Sequence, residues 1–240
     1  MQNNRFIIPS GIIGLSLLVS VFVFSMNWKS IKRENQTITV TGSAKKEIKA
    51  DLGILRGALS ATEISQKATA GKIDSQKPGL LEYLKTKGFE GKEVAFETIN
   101  IYPQYQFING NQGGIIGYNA TQNFKIESDN VDLIKEISLD ISSLYAKGLE
   151  FQVFNPEFYY TQLAEIKIEI QSEAAKDAMN RAQKIAIATN STLGPMRNAR
   201  MGVLQITPIN SNMVSDYGMN DVSSIQKEVT AVVNASFEIE

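Results

Sequence analysis

The sequence predicts an α+β protein: antiparallel sheets with helices packed on one side, arranged as repeated strand-strand-helix units and preceded by one N-terminal transmembrane helix. Three observations predict it. An apolar run near the N-terminus is long enough to cross a bilayer. Several later segments alternate β-branched or aromatic residues with polar ones, and the stretches between them repeat apolar residues at helical spacing. Residues 1–5 precede the span, 6–28 form it, 29–35 link it onward, and 36–240 form one domain large enough for a buried core.

From Phe6 to Trp28 no residue is charged, and Ile, Leu, Val and Phe dominate. A helix of roughly 20 apolar residues spans a bilayer core. The run exceeds the usual hydrophobic region of a cleaved signal, and Phe22 and Phe24 stand where a small-x-small cleavage pattern would be. It therefore reads as an uncleaved anchor, with Trp28 at the interface and Pro9 tolerated in the first turn. Arg5 on one side and Lys29, Lys32 and Arg33 on the other leave orientation undecided by charge.

After the linker, Gln36–Gly42 and Lys49–Thr62 alternate as two strands joined near Gly42 and Ser43. Glu63–Lys87 is helical, with a kink expected at Pro78-Gly79. Glu93–Ile108 and Ile115–Ser128 form a hairpin across the loop Asn109–Gly114, and Pro103 marks an edge or a bulge. Asp129 caps a helix that runs to Lys147 and stops at Gly148.

The order strand, strand, helix thus occurs twice, a duplication in topology without a residue-level repeat. Leu149–Tyr160 is strand-like, and Thr161 caps a long helix ending near Asn190. Its expected buried face is Leu163, Ile166, Ile170, Ala174, Ala178, Ala182, Ile185 and Ala188. Gly194–Pro208 and Ser224–Glu238 are two strands around a polar loop.

Composition narrows the function. There is no cysteine, so disulfides and thiolate metal sites are excluded. Histidine is absent too, which removes the commonest general base and metal ligand and every nucleophile that relies on it. Lys and Arg number 24 against 25 Asp and Glu, with no basic cluster that would neutralise phosphates, so no nucleic-acid partner is expected. No catalytic residue, cofactor or metal site is expected either.

Tyr102, Tyr105, Phe107 and Tyr118 are the candidate interaction surface. They bring aromatics together across the hairpin, where they serve an apolar ligand, a lipid or a partner subunit, or else stabilise the strands. Glu165, Glu169 and Glu173 lie along one stripe of the long helix, read as a solvated face in preference to a calcium site. Asn210–Val222 is a polar loop placed for contact or for simple connection. Asn35, Asn119 and Asn190 begin glycosylation tripeptides that read as chance occurrences.

Several segments together resemble the SIMPL-domain family, which includes bacterial periplasmic and outer-membrane immunogenic proteins. They are Ile38–Leu55 (ITVTGSAKKEIKADLGIL), Thr98–Phe107 (TINIYPQYQF), Gly117–Ile126 (GYNATQNFKI) and Glu173–Met196 (EAAKDAMNRAQKIAIATNSTLGPM). Ala50-Asp51 stands where many members have Pro-Asp, and an anchor stands where many have a cleaved signal.

The resemblance implies an extracytoplasmic domain over 36–240, hence a cytoplasmic 1–5 and an inner-membrane anchor. It further implies a predominantly antiparallel α+β fold and, for some relatives, ring-like or channel-like homo-oligomers linked to envelope or oxidative stress. It supplies no catalytic residues. The expectation is a non-catalytic, membrane-anchored envelope protein that self-associates; the alternative is a binding module for a small apolar ligand or peptide between the sheet and the Ala-rich helix.

Overall fold

In the computed structural model of the protein, the described residues are 14–25, 36–89 and 93–239. Residues 14–25 are helical with exposed side chains; the rest of the expected 6–28 span, and the segments 1–5 and 29–35, lie outside the described residues. Among the described residues no helix is long and apolar enough to cross a membrane.

Eleven strands, β1 to β11, and three further helices follow among the described residues: β1 (Thr37–Lys49), β2 (Leu52–Glu63), α1 (Gln66–Thr86), β3 (Val94–Phe96), β4 (Asn100–Ile108), β5 (Asn111–Ser128), α2 (Val131–Asp140), a 3-10 turn (Ile141–Lys147), β6 (Phe151–Val153), β7 (Glu157–Tyr159), α3 (Leu163–Ala188), β8 (Leu193–Met201), β9 (Gln205–Pro208), β10 (Met219–Asn220) and β11 (Gln226–Ile239). The α+β expectation holds. One sheet has the order β3-β5-β2-β6, with β4 also on β5 and β7 on β2; the other has β1-β11-β9-β10, with β8 also on β11. Most strand pairings among the described residues are antiparallel, but β10 runs parallel to β9.

Two compact units emerge. One comprises the described residues of Met1–Lys45, Ile166–Leu204 and Thr230–Glu240, the other those of Lys46–Glu165 and Gln205–Val229. In the second unit β2 and β5 pair from Gly53–Ser128 to Glu63–Tyr118. Leu55, Leu59 and Ala61 of β2 and Ala120, Phe124 and Ile126 of β5 share one buried cluster with Ile73, Leu80 and Leu84 of α1 and Val131, Ile134 and Ile137 of α2. Both helices therefore cover one face of this sheet. Surface latches tie them: Lys87 reaches Glu136 at 2.8 Å and Asp140 at 3.0 Å, and the Tyr83 hydroxyl donates to Asp140 at 3.0 Å. Burial, reinforced by that carboxylate, pushes the Tyr83 phenol well above its ordinary pKa.

In the first unit α3 buries Ile166, Ile170, Ala174, Ala178, Ala182 and Ala186, a strict i, i+4 ridge. The expected face is met except at its ends: Leu163 is only half-buried, and Ala186 is buried while Ile185 and Ala188 are exposed. The ridge explains Gly42. An added Cβ there would stand 2.3 Å from the Ala174 carbonyl oxygen and the Ala178 nitrogen. Gly42 thus permits close approach instead of making a turn, and β1 continues through it to Lys49. The break between β1 and β2 falls at Ala50-Asp51, where the Asp51 carboxylate accepts from the Thr161 amide at 2.8 Å and its hydroxyl at 2.9 Å.

Other boundaries also move. β1 and β2 lie in different sheets, so the first strand-strand-helix unit contains no hairpin. Helix α1 starts at the Ser65 cap and runs through Pro78 without interruption. A Cβ added at Gly79 would stand 3.2 Å from the Leu149 side chain, and Leu80 is buried, so close packing here outweighs the one backbone bond that proline removes. Asn130, not Asp129, caps α2 through its side-chain oxygen. The helix then tightens to 3-10 before Gly148 ends it at φ +81°. Leu149–Tyr160 divides into β6 and β7, and the two expected C-terminal strands become four.

Candidate interaction surface

The hairpin turn is Asn109-Gly110 alone, at φ 51° and 82°. Both residues accept positive φ, as a two-residue turn between twisted strands requires. The stretch Asn111–Gly114, expected in the loop, is therefore strand. The hairpin consequently reaches further than the six-residue loop would have allowed.

β2 stops at Glu63, opposite Tyr118, so the hairpin continues past its neighbour as a two-stranded arm. From Tyr102 to Ile116 every residue whose burial is described is exposed. Tyr105 is 39% and Phe107 71% accessible, and Tyr102, Ile115 and Ile116 are exposed with them. Two-stranded ribbons are marginal alone, and contiguous exposed apolar residues mark interaction sites.

The register separates the four predicted aromatics. Tyr102 stands opposite Asn119, Tyr105 opposite Ile115 and Phe107 opposite Gln112, while Tyr118 faces Pro103 at the base and is half-buried. The structure gathers Tyr102, Tyr105 and Phe107 on the arm and gives none of the four another of them as its direct cross-strand partner. Ile115 and Ile116, absent from the sequence-based set, complete the apolar surface. A signal for the arm was present: from Thr98 to Phe124 no residue is charged.

The other sequence candidates carry less. Glu165, Glu169 and Glu173 are exposed, and Glu173 lies 3.9 Å from Lys176. Among the described residues no three acidic side chains converge to hold a metal ion. The loop Asn210–Val222 exposes Tyr217 but is tied down: the Gln205 amide donates to the Ser215 carbonyl at 2.7 Å.

At the end of that loop lies a group sequence reasoning missed. Lys227, 1% accessible, donates from Nζ to the Asp221 carbonyl at 2.5 Å and lies 3.3 Å from its carboxylate. Asp221 also accepts from the amides of Ser223 and Ser224 and from both hydroxyls. Burial alone would raise the Asp221 pKa, but the serine donors and the Lys227 ammonium outweigh it and hold the carboxyl well below its ordinary range. Burial pulls the Lys227 ammonium the other way, below its usual value, against the pull of Asp221. The signal was parity: Lys227, Val229, Ala231, Val233, Ala235 and Phe237 all take the inward position of β11. The group fixes the loop and offers no open site.

One groove lies between α3 and β8. Ser172, Ala175, Lys176 and Met179 line it from the helix, Leu193–Met196 and Phe237 from the strands, enclosing about 420 Å³.

This arrangement defines a two-unit α+β module with a projecting, uncharged hairpin arm, and comparison with known proteins gives its family. The family model SIMPL, described as a protein of unknown function (DUF541), matches residues 38–237, and the chain belongs to that family. It is also similar to the uncharacterized protein YggE of Edwardsiella ictaluri (strain 93-146), with 18% identity over 178 residues, 73% of this chain and 72% of that protein.

Proposed function

We propose that the protein is a non-catalytic, membrane-anchored component of the bacterial cell envelope that self-associates and supports envelope integrity or tolerance of oxidative stress. The anchor is the uncharged stretch 6–28, with the domain on the periplasmic side of the inner membrane. Against catalysis stand the absence of histidine and cysteine from the sequence and an arm whose surface is aromatic and amide, chemistry suited to contact.

The observation that carries the reading is the arm itself, an exposed apolar extension with no charge. The test is intact mass and amine crosslinking of the full-length chain in envelope fractions. A full-length chain in the membrane with a ladder of crosslinked multiples is expected; a shortened, soluble monomer would overturn the proposal.

A second reading, a binding module for a small apolar ligand or peptide, is favoured by the α3–β8 groove, where Leu193, Met179, Met196 and Phe237 surround an apolar volume beside the Ala-rich helix. Native mass spectrometry of protein extracted from membranes tests it. A bound mass lost on Met179→Lys supports the ligand, and a clean apo mass removes it.

A further inference from the structure

We propose that two copies of the chain pair through the free edge of β4, antiparallel about a two-fold axis at Gln106. The inference rests on the self-association reading and names the surface that carries it.

Several observations lead to a second strand as the occupant. Among the described residues β4 pairs with β5 alone, so its other side presents backbone donors and acceptors without a strand partner. Sheet edges are usually defended by charge, and here the whole run Thr98–Phe124 has none, so two arms meet without like-charge repulsion. The amides favour a protein partner over lipid. Gln104 and Gln106 alternate with Tyr105 and Phe107, and Asn109, Asn111 and Gln112 follow at the tip. Carrying these amides into hydrocarbon leaves their hydrogen bonds unmade, whereas paired strands satisfy them.

The edge and register follow from the same geometry. The irregularities of the hairpin fall on β5: Gln104 faces Gly117 and Tyr105 faces Ile115, leaving Ile116 over, and one further residue is extra before Phe107 meets Gln112. The free edge of β5 is thus interrupted, while β4 is unbroken from Gln104 to Ile108. Pro103 lacks an N–H and bounds that edge at the base. Full antiparallel overlap of Gln104–Ile108 with a second copy requires its centre at Gln106. Tyr105 of each copy then faces Phe107 of the other, and Gln106 faces Gln106.

The chain has no cysteine, so single substitutions report this register without background. In an antiparallel pair facing residues have Cα atoms about 4.5–5.5 Å apart, within disulfide reach. Gln104 instead lies four residues along from its own counterpart, roughly 14 Å away at about 3.4 Å per residue. Full-length Gln106→Cys and Gln104→Cys proteins are oxidised in native membranes, beside wild-type protein treated with an amine crosslinker. At least about tenfold more disulfide dimer from Gln106→Cys than from Gln104→Cys is expected, and adding Phe107→Lys to Gln106→Cys should abolish the excess while circular dichroism stays unchanged.

The outcomes separate the two claims. An amine-crosslinked ladder with equal disulfide yields at both positions overturns the β4 pairing and leaves self-association standing. No crosslinked multiple, dimer included, overturns self-association and the pairing with it. A blue-shifted Phe107→Trp emission, read in a chain whose native Trp28 is removed by Trp28→Phe, that persists when the protein is diluted to single copies per vesicle places the arm in lipid and overturns the pairing.

Discussion

Strand β5 passes through two environments within one continuous element. From Tyr118 to Ser128 it pairs with β2 on one side and with β3 or the base of β4 on the other, and Ala120, Phe124 and Ile126 are fully buried beneath α1 and α2. From Asn111 to Ile116 it pairs with β4 alone, and its side chains are exposed. The hydrogen-bond ladder is shared by both halves, so the ladder is not what distinguishes them. A core needs a second layer, and only the inner half has one. The outer half contributes no side chain to that core.

The sharpest way to break this contrast is to remove a ring from the inner half. Phe124 is buried and tilts against Phe96 at 6.5 Å between ring centres. Phe124→Ala should destabilise the domain by about 3–5 kcal/mol, the range for a buried aromatic truncated to alanine, read as a lowered urea midpoint. Adding atoms against the inner half, from its β2 neighbour Gly57 opposite Phe124, should hurt slightly less. A Cβ on Gly57 would stand 2.4 Å from the Phe124 ring and 2.6 Å from the Gln152 carbonyl oxygen, and the second contact is backbone that no rotamer change relieves. Gly57→Ala is expected to lose about 1–3 kcal/mol in the same assay.

How far the sequence disclosed this contrast depends on the residue. Helical and strand periods located nearly every element, because amphipathic spacing is local information. Glycine and proline misled where their reason is tertiary. Gly42 signals a turn by itself, and only α3 against β1 reveals close approach; Pro78 signals a kink, and only the packing at Gly79 and Leu80 keeps α1 whole. The aromatic surface was legible as composition. Its projection was not, since that depends on where β2 ends and on Asn109-Gly110 closing the turn in two residues.

The uncharged arm also contrasts with the polar loop Asn210–Val222, which is held by a buried ion pair. Asp221 titrates below its ordinary value in the folded chain, so it stabilises the fold above the unfolded value of 3.8 and progressively less as pH falls below that. Stability measured from about pH 6 down to about pH 3 should show wild type above Asp221→Asn by a constant margin at first, with the margin narrowing only once pH drops below the unfolded carboxylate value. A margin independent of pH throughout would mean that the carboxyl titrates alike in the folded and unfolded chain, so that the serine donors and Lys227 do not lower its pKa.

The smallest effect on folding belongs to the arm, and it is the most informative. Tyr105 and Phe107 are exposed and touch no buried layer, so the double change Tyr105→Ser, Phe107→Ser should shift stability within about ±0.5 kcal/mol, as surface substitutions do. Serine keeps the backbone able to form the hairpin while removing the apolar surface. Melting curves of wild type and variant should therefore overlay at protein concentrations where the chain is dispersed, and diverge as the wild type is concentrated, because association adds stability by mass action only to the form that associates. A loss of more than about 1 kcal/mol in the dispersed protein would mean that the two rings pack within their own chain, and the outer half of β5 would then belong to the fold after all.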